Sequence, residues 1–482
     1  MRTKGLFSEC IMNFCSPDFI FIFLPVFVLL HGVTKGKLRN AVLFFGSIVF
    51  YALAAGGLYE WTLLLLIATV MNYLFGLIIN ETEGRYRKTV FVTGIVFNVA
   101  FLAAYKYSGA FVSAVLPPLF SKIGVTGVEL SAVALPLGLS FYTFKNLSYL
   151  REVYNGAVES ETSFINYGAY LTMFPQISMG PIQTYKDFRP YLGSRTVTFD
   201  GISAGASEFI IGFGLKKIFA DRFGGVWNGI TTIGFDSVST PLAWMGIITF
   251  ALQLYFDFYG YSLMASGIGE MLGYRTPQNF NYPYTSRSMS DFWRRWHMTL
   301  GEWFKENVYF PLGGSRCSRI KLTRNLFVVW VLTGIWHGST LNFLVWGLFL
   351  FLLVLLEKKG IIDFITENPV LSRIYMFFAV IFSWLLFKLP TLSDVGIYLS
   401  RMFGFFGKVP EEVYALDWLK YAKSTGALIV ISLFFITPLP KRVYEKIKNK
   451  PYIVVPILLA VFWYSVYLAV CGANDPFLYN NF

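Results

Sequence analysis

Charge is scarce in this chain. Only 14% of its 482 residues are charged, against about 25% in a soluble domain, so a water-soluble globular protein is excluded. Histidine is scarcer still, with three in all. The four cysteines, Cys10, Cys15, Cys317 and Cys471, show no CxxC spacing and no adjacent histidine. Zinc needs clustered ligands of that kind, so no structural metal is expected. Cys10 and Cys15 can pair if the N-terminus lies outside the cell; cysteines scattered in this way are more often free. No fixed-period repeat, low-complexity segment or linker is visible, which predicts one domain over residues 1–482. No small-residue cleavage site follows the first apolar run, so that run reads as a retained helix rather than a signal peptide. Met12 serves as well as Met1 as a start.

Apolar side chains are abundant. Hydrophobic residues make up 55% of the chain and aromatics 19%, with a mean hydropathy of +0.55. Apolar runs near 20 residues recur, long enough to cross a hydrocarbon core of roughly 30 Å. The chain therefore reads as an all-α polytopic membrane protein. Its net charge of +12 falls in short loops between apolar runs, which is a membrane-orientation pattern and not a nucleic-acid footprint.

The first spans are expected near residues 18–33, 38–55, 58–79 and 89–105. Basic loops at 35–39 and 81–88 alternate with the neutral Gly56-Gly57 turn. That alternation places the basic loops in the cytoplasm and the N-terminus outside. The next part is less regular. Pro117-Pro118 breaks one run, and the runs at 132–150 and 167–185 carry Pro136, Gly138, Lys145, Asn146 and Phe174-Pro-Gln-Ile-Ser-Met-Gly-Pro181. Such residues at membrane depth are tolerated where they are buried in protein or line a watery cavity; kinked ordinary spans are the plainer alternative. Further spans are expected at 203–220, 242–260, 371–389, 424–439 and 453–470. The basic loop 441–450 is expected in the cytoplasm and the C-terminus outside. The total is about 11 spans plus short buried or interfacial helices. Asp257, inside Tyr255-Phe-Asp-Phe-Tyr-Gly-Tyr261, is expected in an interfacial aromatic belt.

The chemistry-bearing stretch runs from 287 to 346. It contains Asp291-Phe-Trp-Arg-Arg-Trp-His297 and Gly334-Ile-Trp-His337-Gly338, so two of the three histidines each follow a tryptophan, Trp296 and Trp336. An ionisable group inside apolar sequence marks a functional site by default. The run 325–357 is too long for one upright span and too short for two, with basic residues at both ends. This suggests a bent or re-entrant path turning near Gly334 and Gly338, with one long tilted helix as the rival. Around His297, Asp291, Arg294, Arg295 and Glu302 repeat with a helical period, which predicts an amphipathic helix at the cytoplasmic face or dipping into the core. A buried imidazole stays neutral, and with an unperturbed pKa of ~6.5 it can accept a proton. Acyl transfer to a hydroxyl needs such a base, and a second polar group can orient the acceptor or stabilise an oxyanion. A Ser-His-Asp triad has no support in the sequence, and His31 reads as a bystander.

At these residues the chain resembles the membrane-bound O-acyltransferase (MBOAT) family, in its bacterial alginate O-acetyltransferase branch. The resemblance rests on an ordered series: Leu135–Phe144, Phe174–Ile182, Tyr255–Ser262, Asn279-Phe-Asn-Tyr-Pro-Tyr284, Asp291–His297, Tyr309–Gly314 and Leu332–Gly338. It extends from about Phe14 to the C-terminus, where Pro476–Phe482 follows the branch's aromatic ending only in part. It implies a helical ring around a funnel or tunnel joining the two membrane faces. His337 matches the family's most constant residue. His297 matches a second position that is histidine in this branch and often Asn or Asp in eukaryotic relatives. Trp296, Trp336, Asp257, Asn281, Arg294 and Arg295 are candidate substrate-binding residues. The implied reaction moves an acetyl group from a cytoplasmic donor, acetyl-CoA or another acyl donor, to an exported cell-surface polysaccharide, with an extracytoplasmic protein completing transfer. The donor is a substrate, and no tightly bound cofactor is expected. Two alternatives remain: D-alanyl transfer from a carrier protein to teichoic acid, and a transporter or flippase, since broken helices with buried polar groups also mark transporters.

Overall fold

The computed structural model describes residues 12–112, 134–404 and 413–472. Among them helices dominate and no strand occurs. The chain divides into two compact units, Met1–Phe209 with Leu263–Pro277, and Ile210–Ser262 with Gln278–Phe482. Whether Cys10 pairs with Cys15, the Pro117-Pro118 break and the C-terminal tail all involve residues outside the described set.

The first unit opens with a π-helical turn, Phe19–Phe23, leading into α1 (Leu24–Val33), α2 (Gly36–Ala54), α3 (Tyr59–Glu81) and α4 (Gly84–Lys106). Helix α3 shows why this unit suits lipid. Its buried positions include Thr69, Asn72 and Gly76, whereas Leu63, Ile67, Val70, Leu74 and Ile78 form an exposed apolar stripe at helical spacing. The polar side is inside and the apolar side outside, the reverse of a water-soluble helix. Asn72 and Asn98 of α4 exchange amide hydrogen bonds of 3.2 and 2.6 Å. In lipid such a bond is worth roughly 0.6 kcal/mol, so the pair sets register more than stability.

Next come α5 (Leu139–Tyr154), α6 (Phe164–Thr172) and α7 (Tyr185–Ser194). The expected span 167–185 is instead broken at Met173. A four-residue turn, Phe174–Ile177, follows, and helix resumes only at Tyr185. Gly138 shows what the broken backbone permits. Its φ is +68°, and a Cβ there would lie 2.0 Å from the Ile177 carbonyl oxygen, so only glycine lets these two segments meet. Several polar groups of the two segments are buried and bonded to each other. Lys145 Nζ donates to Tyr170 O at 2.5 Å and to Gln176 Oε1 at 3.2 Å.

Helix α8 (Phe199–Gly214) passes through a π-helical segment, Leu215–Ala220, into α9 (Asp221–Ile233). Helix α10 (Thr240–Met271) is 32 residues long, about 48 Å at 1.5 Å per residue. It runs well past the expected end at residue 260. Its most apolar window is 78% buried, which corrects the interfacial reading of Tyr255–Tyr261: these rings are packed in protein, not at a membrane surface. The second unit continues with α11 (Met289–Trp293), α12 (Met298–Phe304), α13 (Arg319–His337), α14 (Leu341–Lys358), α15 (Leu371–Lys388) and α16 (Leu392–Phe403). It closes with α17 (Trp418–Phe435), α18 (Leu439–Ile447) and α19 (Pro451–Cys471). The basic segment expected as a loop is largely the amphipathic helix α18, bent 73° from α17.

Seven helices among the described residues are long and apolar enough to cross a membrane, or eight if α17 and α18 form one broken span. The chain is an all-α, multi-pass membrane protein; the figure of about 11 spans is not confirmed.

Candidate active site

His297 sits in a turn between two short helices, which corrects the continuous amphipathic helix expected from its charge spacing. Its φ of +44° places it in the left-handed region, and one such residue ends a helix. Backbone bonds hold the turn open. Asn281 N donates to Arg295 O at 2.9 Å, and Met298 N donates to Asn279 O at 2.9 Å. The segment ahead of α11 thus pairs with both sides of His297. Ser288 caps α11 by accepting from Asp291 N at 3.1 Å. The Glu357 carboxylate, at the far end of α14, accepts from Met289 N and Ser290 N at 2.6 and 2.8 Å and from the Tyr375 hydroxyl at 3.0 Å. An acid at a helix N-terminus satisfies donors that have no partner within the helix.

Asn279 fixes the His297 ring. Its Oδ1 lies 3.0 Å from His297 Nδ1 and also accepts from Thr299 Oγ1 at 3.0 Å. Its amide nitrogen donates to Ser262 Oγ at 3.1 Å, so the amide is oriented with its oxygen toward histidine. Nδ1 must then carry the proton, which leaves the lone pair on Nε2. The Phe258 ring meets the imidazole edge-on at 4.7 Å. Burial pushes the imidazole down to about 3, so it is neutral at physiological pH.

His337 is the last residue of α13 and is buried. Helices α13 and α14 form a tight hairpin broken at Gly338-Ser339-Thr340, which selects the bent path over the single tilted helix. The arms are 19 and 18 residues long, so each is longer than the reading of the 325–357 run allowed. Their contact depends on glycine: a Cβ at Gly347 would lie 2.4 Å from Trp330 O, and one at Gly334 would lie 2.5 Å from Phe343 O. Asn342 and Trp346 of α14 then donate to Leu389 O and Ser383 Oγ at 2.7 and 2.9 Å, which ties the hairpin to α15. Trp336, Trp346 and Phe387 surround the His337 imidazole at centroid distances of 4.5, 4.9 and 5.1 Å.

One aromatic cluster joins the two imidazoles. From His297 it runs through Phe258, Phe280 and Trp296 to Trp384, Phe387 and His337, with successive centroids 4.7 to 5.8 Å apart. Trp296 lies at its centre, stacked on Phe292 at 5.6 Å. Trp296 and Trp336 lie in this environment. Other candidates do not. The Asn281 side chain is exposed; the buried amide is Asn279, two residues earlier in the same motif. Arg294 and Arg295 bind Asp291 at 3.3 and 2.9 Å on the outer side of α11. Asp257 is buried in a charge cluster: Lys216 Nζ lies 2.5 Å from Asp257 Oδ1 and 2.8 Å from Asp221 Oδ1, and Lys217 Nζ lies 2.8 Å from Asp221 Oδ2. The cluster ties the π-helical segment Leu215–Ala220 to the helix that carries Phe258. Among the described residues no three His, Cys, Asp or Glu side chains gather as a metal site.

The model of the MBOAT, membrane-bound O-acyltransferase family matches residues 59–393. The chain belongs to that family. The match spans both histidine environments, and it makes the chain an O-acyltransferase. Over 398 residues it is 34% identical to the "Probable alginate O-acetylase AlgI" of Pseudomonas aeruginosa, covering 82% of this chain and 75% of that protein. It is 32% identical to the peptidoglycan O-acetyltransferase of Helicobacter pylori, over 70% of this chain and 69% of the other. Similarity to the teichoic acid D-alanyltransferase of Bacillus subtilis is lower, 28% over 51% of this chain and 66% of that protein.

Proposed function

We propose that this MBOAT protein carries an acetyl group from a cytoplasmic thioester, of the acetyl-CoA class, to O-acetylate an exported cell-surface polysaccharide. The observation that carries this reading is the pair of buried imidazoles in one aromatic cluster, in a chain whose relatives above include two proteins named for O-acetylation. His337 is the base. The acceptor oxygen bonds to the acetyl carbonyl carbon as the thioester C–S bond breaks. The hydroxyl proton passes to the His337 imidazole and then to the departing thiolate. The tautomer that Asn279 imposes makes His297 Nε2 an acceptor, which supports a role in orienting the acceptor hydroxyl over one in stabilising an oxyanion.

Donor and acceptor lie on opposite sides of the membrane in this scheme. His337 then opens to a passage reachable from both faces, with Trp296-His297 walling its cytoplasmic mouth. The loops at 35–39, 316–324 and 441–450 are cytoplasmic, both termini are external, and the membrane is the cytoplasmic one. An extracytoplasmic protein receives the acetyl group or completes its transfer. D-alanyl transfer is the second reading, favoured only by the more distant teichoic acid relative. The test is a reconstituted assay with labelled acetyl-CoA. Wild-type protein releases free CoA and passes label to an acceptor, while His337→Ala, still folded, loses about 10²–10⁴-fold of that rate. Equal rates in the two proteins would remove His337 from the chemistry.

A further inference from the structure

The third histidine is not a bystander. His31 is fully buried at the end of α1, and Arg195, just past α7, donates from Nε to His31 Nε2 at 3.2 Å. Arg39, also buried, lies in the first turns of α2. It donates to Thr34 O and to Arg195 O at 2.8 and 2.7 Å. Two guanidinium groups are thus packed together beneath the α1–α2 turn. Neither forms an ion pair with a carboxylate among the described residues. A buried charge with no partner of opposite sign is strongly disfavoured.

Three groups around this contact keep unspent donors. Because His31 Nε2 accepts from Arg195, its proton sits on Nδ1, which has no protein partner; nor do Arg195 Nη2 and the hydroxyl of buried Tyr274. Tyr274 and Arg195 share Tyr191. The Tyr274 and Tyr191 rings lie 6.4 Å apart, and the Tyr191 carbonyl accepts from Arg195 Nη1 at 3.4 Å. Three buried donors left unspent, and two positive charges with no carboxylate partner among the described residues, describe a site for an oxyanion.

We propose that Arg195, His31 and Tyr274, backed by Arg39, bind a phosphate group. The arginine fork matches phosphate oxygens, and exposed Lys35, Lys37 and Arg275 flank the cluster with charge that favours a multivalent anion. Arg195 is one residue deep, between exposed Ser194 and Thr196, so a surface ligand reaches it with little rearrangement. Two sources carry this chemistry: the headgroup of an anionic phospholipid, drawn to basic segments at a membrane surface, and a soluble nucleotide such as CoA. The site does not depend on the acetyl-transfer reading, because binding is read without turnover.

The test uses the full chain in two formats. Native mass spectrometry from nanodiscs of phosphatidylcholine with phosphatidylglycerol reads retained lipid. Equilibrium binding of CoA and of dephospho-CoA in detergent reads the soluble source. Arg195→Gln is expected to weaken one or both by about tenfold or more. Tyr274→Phe removes a hydroxyl that makes no bond, so it folds as wild type, and it is expected to weaken the same binding about threefold. Loss confined to phosphatidylglycerol assigns a lipid, and loss confined to CoA assigns a nucleotide. If Arg195→Gln does not fold, Tyr274→Phe decides. Unchanged binding of both probes by Tyr274→Phe, or by a folded Arg195→Gln, overturns the proposal.

Discussion

His297 and His337 share one aromatic cluster but are held in different ways. His297 is fixed by polar geometry: a left-handed backbone, paired main-chain bonds on either side, and an amide that selects its tautomer. His337 ends a regular helix and is positioned by the rings of Trp336, Trp346 and Phe387. Packed rings limit where the His337 imidazole can sit. A hydrogen-bonded cradle suits a group that has to point one way.

The comparison can be broken at its cradle. His297→Asn is expected to retain part of the transfer rate, because an amide can still orient a hydroxyl. Asn279→Ala, with His297 intact, should lose about 10-fold or more, since the buried imidazole loses its charge-free anchor. If Asn279→Ala transfers at the wild-type rate in the labelled acetyl-CoA assay, orientation of His297 does not matter. The ring cage can be tested in the same assay. A Cβ at Gly338 would lie 2.2 Å from the Phe343 ring, and Phe343 packs on Phe387 at 5.2 Å. Gly338→Trp should therefore push the cage inward and block transfer while the chain still folds; full activity in a correctly folded variant would deny the passage. The smallest effect is on stability. Burial lowers the His297 pKa to about 3, against ~6.5 unfolded. The unfolded state thus binds the extra proton, and stability is lost as pH falls from about 6.5 toward 3. His297→Asn should flatten that slope in acid unfolding, and an unchanged slope would show that another group sets it.

Much of this architecture was legible in the sequence. Apolar runs located α2, α3, α4, α15 and α19 to within a few residues, and the two Trp-His pairs fall in one buried aromatic cluster. Four features were not legible, each for a physical reason. The break at His297 carries neither glycine nor proline, so charge spacing alone reads as one helix through 291–302. Choosing Asn279 over Asn281 depends on which amide faces the 295–298 turn, and only pairing between the two segments decides that. The partner of Asp257 lies 41 residues earlier on another helix, so a buried charge cluster looked like an interfacial acid. The Arg39–Arg195–His31 contact spans more than 150 residues, and a lone histidine at a helix end gave no sign of it.

The left-handed backbone at position 297 also bears on heredity. Few side chains adopt positive φ, and among residues other than glycine Asn, Asp and His do so several-fold more often than the rest. The resemblance places histidine at this position in the bacterial branch and Asn or Asp in eukaryotic relatives. The torsion angle favours that set before any substrate arrives, although Tyr282 also adopts a positive φ, of +50°. Drift at this codon is then biased toward residues that can hold or receive a hydrogen bond.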